Sequence, residues 1–99
     1  MMRLTGILLL SAALLPVALA EGVEDQYNKS CAVCHASGVA GAPRTGDEKA
    51  WNERIEEKGM DELVKSVNNG LNAMPPKGMC SDCDDDDMKA LIEYMAKAR

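Results

Sequence analysis

From Val23 to Lys97 the apolar residues recur at helical spacing in four separate stretches, and no stretch alternates as a half-buried strand would. The first helix is expected over about Val23 to Ala36, where Val23, Tyr27, Cys31 and Cys34 share one face. Gly38, Gly41, Pro43 and Gly46 make the next segment a loop. A second helix starts near Asp47 and is closed by Gly59, with Trp51 and Ile55 facing inward together. A third runs from about Asp61 to Asn69 behind the stripe Leu63, Val64 and Val67, and Gly70 stops it. Leu71 to Cys83 reads as a second loop, stiffened by Pro75 and Pro76. The fourth helix spans about Asp84 to Lys97. Its Met88, Leu91, Ile92 and Met95 stand at i, i+3, i+4 and i+7. Asp84 to Asp87 crowd its start, where the helix dipole favours negative charge, and read as a capped, solvated terminus. The predicted class is all-α.

The residues before Val23 read differently. Met1-Met2-Arg3 is a short basic start, Leu4 to Val17 is apolar, and Ala18-Leu19-Ala20 has the small-x-small form of a cleavage site. The run is short for a membrane span of about 20 residues. Residues 1–20 are therefore expected to be an export signal and 21–99 a single domain, placed in the periplasm.

Composition sharpens this picture. The chain has 99 residues, a formal net charge of −5 and no Phe, and its aromatics are Tyr27, Trp51 and Tyr94 alone. Acidic chains of this kind are not drawn to nucleic acid. A domain this small with so little aromatic surface needs another source of stability, such as a disulfide, a metal or a large apolar cofactor.

Cys31-Ala32-Val33-Cys34-His35 supplies the candidate. C-x-x-C-H is the pattern of covalent haem attachment. On a helix, residues i and i+3 point the same way, so two thiols can reach the two vinyl groups on one edge of a haem, and His35 can ligate the iron. A zinc site would require a second ligand pair, which Cys80 and Cys83 could provide. His35 is the only histidine, so the other axial ligand must be a methionine, another group, or absent. Met88 and Met95 belong to the last helix's stripe, and Met60 opens the third helix. Met74 precedes two locked φ angles at Pro75-Pro76 and is favoured as the ligand. Met79, after Gly78, and an open site are the alternatives.

Cys80-Ser81-Asp82-Cys83 is followed by Asp84 rather than His, which argues against a second haem. In an exported chain the pair reads as a structural disulfide, with a reactive thiol pair as the alternative. Trp51 and Arg54, three residues apart, are candidates for holding a haem propionate. Pro43 is a candidate to accept from the His35 ring N–H through its carbonyl.

The segments CAVCHASGVAGAPRTGD, W-x-x-R and NAMPPKGMCSDC closely resemble the cytochrome c5 family of bacterial class I cytochromes c. The resemblance covers essentially the whole of 21–99. It implies the cytochrome c fold, about four short helices wrapped around one covalently bound haem c, with the first and last helices crossed. It also implies His35 and Met74 as iron ligands and a Cys80–Cys83 disulfide. In function it implies a periplasmic single-electron carrier serving a terminal oxidase, a reductase or another redox partner, and not an enzyme. The family's pattern has Gly where this chain has Met79, a side chain that could crowd the haem edge or compete with Met74. The competing reading is a haem enzyme or sensor whose open sixth site binds a small ligand. A monomer or weak dimer is expected, with loose membrane association admitted.

Overall fold

The stripe of Met88, Leu91, Ile92 and Met95 is buried along its whole length, and the chain is organised around it. The computed structural model describes Gly6 and residues 18–97, with side chains from 22 onward. The expected export signal therefore lies almost wholly outside the described residues. Among those residues every regular element is helical, and Leu71 and Met74 form an isolated bridge. None of the helices among the described residues is long and apolar enough to cross a membrane.

The first helix is longer than its sequence pattern indicated and is not uniform. It comprises α1 (Ala18–Gln26), a π-helical turn (Tyr27–Cys31) and α2 (Ala32–His35). In the π turn the Ala32 N–H reaches back to the Tyr27 carbonyl. Such turns insert one extra residue and cluster at functional positions, and this one ends on Cys31. Periodicity over four apolar positions is too coarse to reveal the insertion.

The other boundaries follow from side-chain chemistry. Helix α3 (Glu48–Lys58) is capped by Asp47, whose carboxylate accepts from the Ala50 N–H at 3.1 Å. Gly59 separates it from α4 (Met60–Asn69), which stops at Gly70. Helix α5 (Asp85–Ala96) opens on a reciprocal capping box. The Asp87 N–H donates to the Asp84 side chain at 2.8 Å, and the Asp84 N–H donates to the Asp87 side chain at 3.0 Å. Both long loops contain a single short 3-10 turn, Val39–Gly41 in the first and Pro76–Met79 in the second.

Helix α5 packs against α1, α3 and α4. The Tyr27 and Tyr94 rings meet at 5.0 Å, tying the first helical stretch to the last. Trp51, Leu63 and Val64 close the core from α3 and α4. Cys80 and Cys83 are bonded to each other and are also core residues, 5% and 1% exposed.

Candidate functional site

An open cleft lies between α2, α3, α4, α5 and the two long loops. Its wall is largely aliphatic and thioether: Leu63, Val67, Met88, Leu91, Ile92 and Met95 all face it. Six of the seven residues singled out as cofactor contacts also border it, namely Cys31, His35, Pro43, Trp51, Arg54 and Met74. Cys34 is half-buried on α2, one turn beyond Cys31, and does not wall the cleft.

His35 is 7% exposed and fixed from two sides. Its Nδ1 lies 2.7 Å from the Pro43 carbonyl oxygen. A carbonyl can only accept, so Nδ1 carries the proton and Nε2 keeps its lone pair for a metal. The Trp51 ring packs against the imidazole at 5.4 Å, tilted by 38°. The loop between them is held as well. The Thr45 N–H donates to the His35 carbonyl at 2.8 Å, and the Thr45 hydroxyl and Tyr27 phenol share a 2.7 Å hydrogen bond.

Trp51 donates its indole N–H to the Arg44 carbonyl at 2.9 Å. Buried at 5% exposure, it spends that N–H on the loop that carries Pro43. Arg54 borders the cleft and donates from one terminal nitrogen to the Ala50 carbonyl, one turn back, at 2.9 Å.

Met74 is gripped by its own loop. Its N–H donates to the Leu71 carbonyl at 2.9 Å, and its carbonyl accepts from the Leu71 N–H at 3.0 Å. Beyond it, Pro75 and Pro76 restrict the backbone. Met79 is 77% exposed and does not border the cleft.

The thiols separate into two kinds. Cys31 is unbonded, and burial pushes its thiol up to about 11, so at neutral pH it is a protonated, weak nucleophile. Cys80 and Cys83, joined and buried, cannot serve as thiolate ligands, which removes the zinc reading. Their burial also removes the accessible thiol pair.

Sequence reasoning missed Arg44 and Thr45, which act through backbone groups that carry no residue signature. It also missed Leu71, Ser66 and Lys77, which border the cleft.

A family described as cytochrome c oxidase, cbb3-type, subunit III, matches residues 18–95. The chain is 44% identical over 78 residues to a cytochrome c5 of Ectopseudomonas mendocina, covering 78% of this chain and 90% of that one. It is similar to a mono-haem ferrocytochrome c from Shewanella putrefaciens, with a TM-score of 0.68 and 56% identity, over 78% of this chain and 94% of that one. It is also similar to a chain in the crystal structure of an electron transfer complex of nitrite reductase with cytochrome c. There the TM-score is 0.65 and the identity 42%, over 74% of this chain and 88% of that one. A cleft walled by apolar side chains, with an oriented imidazole and an unbonded cysteine at its edge, fits the haem these proteins share. The chain accordingly belongs to the cytochrome c5 family of small c-type cytochromes, with one haem c as its cofactor and electron transfer, not catalysis, as its work.

Proposed function

We propose that Cys31 and Cys34 hold the haem through thioethers, that His35 and Met74 are its axial ligands, and that the chain carries one electron at a time between periplasmic redox partners. When bound, the haem supplies an iron that accepts and returns a single electron. The carrying observation is the 2.7 Å contact between His35 Nδ1 and the Pro43 carbonyl, in a cleft that Cys31 and Met74 also border. That contact leaves the Nε2 lone pair available and strengthens the imidazole as a ligand. Apolar walls from α4 and α5 exclude water, which favours a ligand set that does not rearrange between oxidation states. The Met74–Leu71 bridge and the two prolines hold the thioether at a constant reach.

Export through residues 1–20 would deliver the chain to the compartment where its disulfide forms. Redox enzymes, such as a terminal oxidase or a reductase, are the proposed partners. In the solved complex, a cytochrome c is an electron-transfer partner of nitrite reductase. A monomer or weak dimer suits a diffusing carrier of this size.

The test is periplasmic expression with the haem maturation machinery. The product should be red, gain the mass of one haem that survives acid acetone, and show a weak near-infrared iron–thioether band when oxidised. A colourless product refutes the attachment. A red product with high-spin features and no such band supports instead a ligand-binding protein with an open sixth site.

A further inference from the structure

Residues Lys77, Gly78 and Met79 form three consecutive left-handed positions, with φ of 61°, 55° and 71°. The left-handed region usually calls for glycine. Here the two flanking positions adopt it with full side chains, so backbone conformation alone does not require glycine in the middle. Position 78 differs in its surroundings. A Cβ there would lie 3.0 Å from Cε of Met74, closer than a methyl–methyl contact allows. Nothing else lies within 4 Å of that Cβ.

We propose that Gly78 is a positioning residue for Met74: the missing side chain leaves the space that the thioether methyl occupies and so sets where the sulfur sits. This rests on the reading of Met74 as the axial ligand. Because the neighbouring atom is the free end of a flexible side chain, a methyl group at 78 displaces the thioether rather than the backbone. The contrast is Gly70, where a Cβ would meet the Met74 carbonyl oxygen at 3.0 Å and the Pro76 nitrogen at 3.1 Å.

The experiment compares oxidised wild type, Gly78→Ala, Met79→Ala and Met74→Ala holoproteins by near-infrared absorption and voltammetry. Met74→Ala should abolish the iron–thioether band, which tests the ligand reading by itself. Gly78→Ala should weaken or shift the band and lower the midpoint potential, because a poorly placed methionine raises it less. Met79→Ala, in the same turn, should change neither. A Gly78→Ala protein that matches Met79→Ala in band and potential overturns the proposal, even if Met74 proves to be the ligand. A thermal cycle covers poor folding of the single variant. Alanine at 78 should lower the melting temperature more in the wild-type background than in the Met74→Ala background, since the left-handed strain is common to both and cancels in the comparison. An equal loss in both backgrounds, or failure to fold in both, places the need for glycine in the backbone and overturns the proposal.

Discussion

The carbonyl oxygen of Pro43 stands 2.7 Å from Nδ1 of His35, across the first long loop. A carbonyl oxygen can only accept, so the contact can be made in only one sense, and it sets the tautomer of the single histidine. The prediction is spectroscopic. Proton NMR of the reduced holoprotein should show a His35 Nδ1-bound proton that exchanges slowly with solvent. A rapidly exchanging or absent resonance would contradict the assignment.

Trp51 ties this arrangement down through the Arg44 carbonyl, which accepts its indole N–H. Trp51→Phe keeps the ring against His35 but loses the hydrogen bond, at a cost of about 1 kcal/mol. Trp51→Ala also opens a cavity and should cost about 3–5 kcal/mol. Urea unfolding followed at the haem absorbance measures both, and equal losses would show that the Arg44 contact, not the packing, dominates.

The disulfide closes a short loop next to the Met74 segment. Its entropic contribution is about 2 kcal/mol, at the low end for such bonds. Replacing Cys80 and Cys83 together by Ala should lower stability by that amount or slightly more, since Cys83 is fully buried. The near-infrared band should remain. Thiol titration of the unreduced holoprotein should find no free sulfhydryl, and two reactive thiols would refute the bridge.

The acidic run at 84–87 acts first as a helix start. Asp84→Ala removes the side-chain acceptor for the Asp87 N–H, one half of the capping box, and should cost about 1 kcal/mol. Asp86→Ala, outside the box, should change stability by less than about 0.5 kcal/mol. Thermal melts of the two variants decide this, and equal effects would point to bulk charge rather than capping.

Met79 holds a left-handed φ of 71° and is 77% exposed. Met79→Gly relieves that strain but gives the unfolded chain more freedom, so the net gain should stay below about 1 kcal/mol. The haem spectrum should not change. A spectral change would mean that Met79 reaches the cleft in solution.

Much of this protein follows from local rules visible in its residues. The helix limits at Asp47, Gly59, Gly70 and Asp84 are matters of capping and backbone freedom, which act over a few residues and need no tertiary context. The buried stripe of α5 follows in the same way from its spacing. The C-x-x-C-H chemistry is equally local, because the spacing of the two thiols and the imidazole is set by one helix.

What the tertiary structure decided depends on contacts between distant segments. No pattern in the chain shows that the Trp51 N–H donates to the Arg44 carbonyl, because any residue presents the same carbonyl and only the loop's path chooses which one. The π turn that ends on Cys31, the exposure of Met79 and the approach of the Met74 methyl to the Cα side of Gly78 are of the same kind. Local spacing names the groups that can hold a haem, whereas their orientation and clearance are set by close packing among segments far apart in sequence.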